Sequence, residues 1–224
     1  MMRVSRKSPR LWSSRPAFAG GALIAALLPA AAGAETEYVR LEIGDQPLTI
    51  PAEHIWNREL QSDGPVGSVN LFFVLPDMGP VTPEMEGTLD EPGFGPVVLA
   101  NLTTLSFGLT VEQRFEQGVE RGHWSIDDLD LAQGGLQPVR GPLSDADVQD
   151  WNVLVEGGEV RGLITCTDEE VAPYPSCTAY LDLWDRLALI VNFDATRQDN
   201  IASIADDLAA RLNEFRVAAE GVDL

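Results

Sequence analysis

The side chains able to do covalent or metal chemistry are few: two cysteines, Cys166 and Cys177, and two histidines, His54 and His123. An even pair of cysteines reads as one disulfide in an oxidising compartment, and the spacing is not that of a C-x-x-C redox dithiol. Closing a loop of that size stabilises by roughly 2–3 kcal/mol on the chain-entropy model. Zinc needs three or four ligands at suitable spacing, and neither H-E-x-x-H nor paired C-x-x-C occurs. No G-x-S-x-G elbow is present either, and Gly122-His123-Trp124-Ser125 fits no nucleophile motif. A hydrolase would have to assemble a triad around His123 from residues distant in the chain.

The acids are numerous. Asp127, Asp128 and Asp130, or Asp145, Asp147 and Asp150, offer oxygen ligands to calcium. The second set begins D-x-D but lacks the glycine turn and terminal glutamate of an EF-hand loop, so these read as solvated or helix-start acids. Gly134-Gly135 and Gly157-Gly158 are turn glycines, not a phosphate cradle. Asn101-Leu102-Thr103 is a glycosylation sequon by pattern, set in a strand. The expectation is therefore no catalytic, cofactor or metal site. A hydrolase near His123 and a calcium-binding acidic protein are the alternatives.

The first 34 residues differ from the rest. Arg3, Arg6, Lys7, Arg10 and Arg15 form a basic head, Ala17 to Leu28 an apolar run, and Ala32-Gly33-Ala34 a cleavage site before Glu35. The run is too short to span a bilayer. This predicts a cleaved signal peptide over 1–34, a single domain over 35–224, and a periplasmic location with no lipid anchor. The whole chain carries a formal charge of −20, and the head takes five of its fifteen basic residues and none of its acids. Ten arginines and no lysine then face 35 acidic residues, a formal −25. Such a surface repels nucleic acid and anionic lipid, and attracts basic proteins or divalent cations. Salt adaptation accounts for the same composition.

The clearest periodicity lies after the cysteines. Thr178 to Trp184 and Leu187 to Phe193 read as two apolar strands joined at Asp185-Arg186. Ile201, Ile204, Ala205, Leu208, Ala209, Leu212 and Phe215 form one stripe of an amphipathic helix, with Asp199 or Asn200 as cap. Upstream, Glu37 to Ile43 alternates as a half-buried strand, and Pro47 to Ile50 follows a turn. Ala52 to Leu60 is a short, partly helical stretch that should turn Ile55, Trp56 and Leu60 inward. Val69 to Leu75 is a strand, and Val97 to Val111 reads as strand with a bulge at Gly108. Glu112 to Gly141 looks loop-rich, and Ser144 to Trp151 reads as a short helix. Gly157-Gly158 joins Trp151 to Glu156 and Glu159 to Cys166 as a hairpin. The fold class expected is α+β: an antiparallel sheet with the C-terminal amphipathic helix packed on one face and one disulfide.

The segment Pro76 to Pro96 is rich in proline, glycine and acid, and a loop that long is functional or mobile. Its Met78, Met85, Leu89 and Phe94 would form an acid-rimmed apolar patch for a protein partner, if they do not pack back.

The layout of -LTIPAEHIW-, -SVNLFFVLPDMGPVTPE-, the Cys166…Cys177 loop and closing strands and helix to Phe215 resembles a loose group of small exported Gram-negative proteins. Some of that group are immunity-like and neutralise a toxin delivered by a contact-dependent secretion system. The resemblance implies a non-enzymatic, protein-binding role and no catalytic residue.

Overall fold

The computed structural model describes residues 36–85, 94–105, 108–126, 129–141, 149–167, 170, 172–184 and 186–220. Residues 1–34, read from the sequence as a signal peptide, lie outside that set. Among the described residues ten strands and two helices carry the architecture: β1 (Tyr38–Ile43), β2 (Gln46–Pro51), β3 (Gly64–Pro65), β4 (Ser68–Val74), β5 (Val97–Thr104), α1 (Val111–Glu120), β6 (Gly135–Val139), β7 (Gln149–Glu156), β8 (Glu159–Thr167), β9 (Ser176–Trp184), β10 (Leu187–Asp194) and α2 (Ile201–Glu220).

Seven strands form one antiparallel sheet in the order β4-β5-β10-β9-β8-β7-β6, and β2-β1-β3 form a smaller one. Alternation decides the faces, because successive strand side chains point to opposite sides. On the inner face lie Leu71 and Phe73 of β4, Ala100 and Leu102 of β5, Leu189 and Val191 of β10, and Cys177 and Ala179 of β9. The α2 stripe of Ile201, Ile204, Leu208, Leu212 and Phe215 is buried into the same core. Val39, Leu41 and Ile43 of β1 and Leu48 and Ile50 of β2 complete it. The fold is α+β, as the periodicity predicts. Cys166 and Cys177 are register partners across β8 and β9 and are joined, with Cα atoms 4.0 Å apart.

On the outer face, α1 packs over β8 and its neighbours. Val111 and Phe115 join Val153, Val155, Val160 and Leu163 in a second, smaller core, with Trp124 and Trp151 edge to face at 4.7 Å. Gly118 of α1 is where Trp124 comes closest: a Cβ there would meet the indole at 2.0 Å.

Several local expectations are corrected. The stretch read as loop-rich contains α1, which Thr110 starts with a full capping box: its side chain accepts from the Gln113 amide, and the Gln113 side chain returns to the Thr110 amide. β5 stops at Thr104, and Gly108, at φ +69°, belongs to the turn into α1 and not to a bulge. Gln149 to Trp151 begin β7 instead of closing a helix, while residues 142–148 lie outside the described set. Neither Asp199 nor Asn200 caps α2. A 3-10 turn, Ala195–Asn200, runs straight into it, and the capping carboxylate is Asp194, bonded to the Thr196 amide at 3.0 Å. Between β2 and β4 the chain makes two 3-10 turns, Ala52–His54 and Arg58–Leu60, because Asn57 sits in the left-handed region at φ 53°. Ile55 is buried by the first, but Trp56 stays 43% and Leu60 79% exposed, so the inward reading fails for both.

Candidate functional site: an uncovered sheet face

The outer face has two halves. Among the described residues α1 is the only helix on it; α1 packs chiefly on β8 and β9, and in the second half its Val111 and Arg114 share a hollow with Asn101 and Thr103 of β5 and Ala188 and Ile190 of β10. The side chains of that second half line up in rows by register. One row runs Tyr180, Ile190, Asn101, Asn70; the row beside it runs Thr178, Asn192, Leu99, Phe72. Ala188, Thr103 and Ser68 extend the surface on the other side. Most of these residues are half-buried, and none carries a formal charge. Two amide contacts tie the strands together: Asn101 Nδ2 donates to Asn70 Oδ1 at 2.7 Å, and Thr178 Oγ1 to Asn192 Oδ1 at 2.8 Å.

At the β4 edge the surface ends in an aromatic pair. Trp56 stacks on Phe72 with ring centroids 4.6 Å apart. The segment 52–56 is held there because it satisfies the outward polar groups of an edge strand, which would otherwise template another chain. The Trp56 amide donates to the Asn70 carbonyl at 3.0 Å, and His54 Nδ1 lies 2.9 Å from the Phe72 carbonyl. The Val74 amide closes the row on the Gly79 carbonyl at 2.9 Å.

At the β9 end charge returns. The Arg114 guanidinium lies 5.8 Å from the Tyr180 ring centroid. Asp182 accepts the Val111 amide with both oxygens, at 3.0 and 2.9 Å. Burial raises its carboxyl above the ordinary 3.8, more than the Val111 amide and the arginines 161 and 114 lower it. An aromatic edge, an uncharged centre and a charged rim is the composition of a protein-binding surface, where charge is depleted at the core.

Of the predicted partner residues one is buried, two are half-buried and one lies outside the described set. Met78 is 3% exposed and belongs to the main core, because the chain doubles back after β4 and folds it inward; it is no surface anchor. Met85 and Phe94 are half-buried, and Leu89 lies outside the described residues. The disulfide pair is a structural clasp inside the core. His123 is exposed beyond α1, and its amide bonds the Gly118 carbonyl at 2.8 Å. Of the acids considered for calcium, Asp127, Asp128, Asp145 and Asp147 lie outside the described set. Asp130 Oδ1 accepts the Ala132 amide in a turn, and Asp150 is exposed on β7. Among the described residues no three His, Cys, Asp or Glu side chains form a metal-binding group. A separate apolar groove of about 220 Å³ lies where Ala202, Ala205 and Ala209 of α2 meet Leu154 and Leu181, its mouth set by the Glu156–Arg161 ion pair.

What sequence reasoning missed is the second face. Its signal was weak: Asn70-Leu71-Phe72 and Leu99-Ala100-Asn101 place large apolar and amide residues where a solvated strand would place charge.

This architecture is found in solved structures. An immunity protein of the Stenotrophomonas maltophilia type IV secretion system, Smlt3025, superposes with a TM-score of 0.55 at 14% identity, over 80% of this chain and 93% of that one. The Neisseria meningitidis iron-regulated outer membrane lipoprotein FrpD superposes with a TM-score of 0.50 at 8% identity, over 80% and 92%. At such identities the likeness is one of fold. No family model and no curated protein sequence matches the chain.

Proposed function

We propose that this chain is an exported, non-enzymatic protein of the bacterial periplasm that binds and neutralises a toxin. The observation that carries the reading is the uncharged outer face of β4, β5, β10 and β9 with its Trp56–Phe72 edge, a half-sheet that α1 borders through Val111 and Arg114. Nearly the whole length of an immunity protein shares the fold, which supports the same conclusion. A basic head and apolar run over 1–34, with cleavage after Ala34, deliver the chain to an oxidising compartment, and the Cys166–Cys177 clasp suits that destination. With a formal −25 after cleavage, the partner is a basic protein; nucleic acid and anionic lipid are repelled.

The test is neutralisation. Each protein encoded beside this gene is exported in a test strain with and without this chain. Growth arrest relieved by the chain, together with a 1:1 complex on size-exclusion chromatography, is expected for one of them. If no neighbouring product is relieved or bound, the reading is wrong.

A further inference from the structure

The aromatic edge of the outer half-sheet depends on one buried imidazole. Residues 52–60 leave β2 at Pro51, lie against the edge of β4 and turn towards β3, which begins at Gly64. They form a strap with two attachments to β4. The Ile55–Leu71 bridge brings the Trp56 amide to the Asn70 carbonyl at 3.0 Å, and His54 Nδ1 donates to the Phe72 carbonyl at 2.9 Å. Because the Phe72 ring stacks on Trp56, the histidine holds the backbone of the residue on which Trp56 rests.

The ring is seated for its neutral form. It is fully buried between Phe73 of β4 and Phe215 of α2, and its Nε2 has no partner. Neither β2 nor β4 carries a charged residue. From α2 the charge that reaches the ring is Arg211, itself ion-paired with Glu214, and it opposes a second proton. From the strap the exposed Glu53 favours one, but burial outweighs it. A doubly protonated ring donates from both nitrogens, and in this seat Nε2–H meets no acceptor, so the charged form is stable only in water. Reaching water does not require the whole fold to open. Of the strap's large apolar side chains Ile55 alone is buried, Trp56 and Leu60 are exposed, and the strands of both sheets lie outside it.

We propose that residues 52–60 are an acid-released strap on the partner surface. Protonation of His54 favours a state in which the strap has left β4 and Trp56 has left Phe72, while both sheets and α2 stay folded. The surface is whole at neutral pH and loses its aromatic edge in acid. Once in water the ring takes its proton near pH 6.5, so below that the released state gains up to about tenfold per pH unit, until the closed ring would itself protonate. That Trp56 meets a protein partner rests on the function proposed above; the release of the strap does not.

The experiment is amide hydrogen exchange on the purified, disulfide-bonded, isotope-labelled protein at pH 7, 6 and 5, with protection corrected for the intrinsic exchange rate. The Trp56 amide should be protected roughly tenfold less, or lower still, than that of Val191 in central β10, because the strap opens without the fold. Its protection should fall about five- to eightfold between pH 6 and 5. In His54→Asn, which keeps a donor towards the Phe72 carbonyl, it should stay flat over the same range. Equal protection of Trp56 and Val191, a flat Trp56 profile in wild type, or the same fall in His54→Asn overturns the proposal. The first two criteria need only the wild-type protein, so they decide even where His54→Asn does not fold. A neighbouring product that this chain neutralises should raise the Trp56 protection on binding. A strap that opens in acid while no product is neutralised keeps the strap and removes the toxin reading. A neutralising complex that leaves the Trp56 protection unchanged keeps that reading and overturns the strap as part of the partner surface.

Discussion

His54 gives this fold a pH dependence of definite sign. The ring is fully buried, 4.9 Å from Phe73 and 5.4 Å from Phe215 by centroid. Its Nδ1 faces the Phe72 carbonyl at 2.9 Å, and since a carbonyl only accepts, that nitrogen holds the proton of the neutral ring. Nε2 is buried with no partner. A second proton would place a cation and an unmet N–H between two phenyl rings. Burial therefore holds the pKa below the ordinary 6.5, and Arg211 adds to the effect; the Phe72 carbonyl and Glu53 oppose it without prevailing. The unfolded chain takes up this proton near pH 6.5 while the folded chain resists, so stability is intact above that pH. As pH falls from there through the folded pKa, stability is lost at about 1.4 kcal/mol per unit, levelling off below it. Urea denaturation at pH 7.5, 6.5 and 5.5 measures this directly. His54→Asn, which keeps a donor near the Phe72 carbonyl but does not titrate, should be less stable at pH 7.5 and flatter below it. If wild type and His54→Asn have parallel slopes between pH 7 and 5.5, the account of His54 is wrong.

Four further outcomes are expected. Reducing Cys166–Cys177, or replacing both by serine, should cost roughly 2–3 kcal/mol in urea titration and lower Tm by several degrees. Leu208→Ala removes a fully buried side chain from the α2 stripe and should cost about 2–5 kcal/mol in the same assay. Gly118→Ala, normally favourable inside a helix, should instead cost roughly 1–3 kcal/mol and change the near-ultraviolet signal of Trp124, because the added methyl meets its indole. Trp56→Ala should leave the fold within about 1 kcal/mol of wild type, since the ring is 43% exposed, yet weaken a neutralising complex by about 2 kcal/mol if it is a partner anchor.

The legible parts of this fold are those whose signal is local. The Gly157-Gly158 turn, at φ 64° and 90°, and the alternation on either side of it specify the β7–β8 hairpin within twenty residues of sequence. The α2 stripe is read equally well, since each of its buried residues recurs at helical steps. Helix α1 had a readable start, Thr110 followed three residues later by Gln113, with Val111 and Phe115 four apart. It was lost because the β-branched run of β5 continues in composition past Thr104, and composition does not mark where a strand ends. Trp56 and Leu60 were turned the wrong way by size alone; the left-handed Asn57 between them reverses the chain, and hydrophobicity carries no information about that. Met78 failed in the opposite sense, an apolar residue in a polar loop that folds back under β4.

The face proposed to bind a partner was illegible for a different reason. Whether the second side of a strand is covered depends on where a helix from elsewhere in the chain comes to rest, and α1 comes to rest over β8, not over β5. Local sequence records only that Phe72, Leu99 and Ile190 are apolar, which a covered strand requires and a docking strand also requires. The distinction lies in what they hold together. Leu71, Ala100 and Leu189, one residue away on the same strands, lock α2 and the small sheet into the core, so changing them would cost the fold. Of their outward neighbours, Asn101, Ala188 and Ile190 line a hollow shared with Val111 and Arg114 of α1, and Phe72 and Leu99 lie outside it. Apolar area left half in water contributes about 25 cal/mol per Å² only once something covers it. That unspent burial, bounded by Trp56 at one edge and by Arg114 and Asp182 at the other, is why the outer half-sheet is read as serving association while the inner face serves stability.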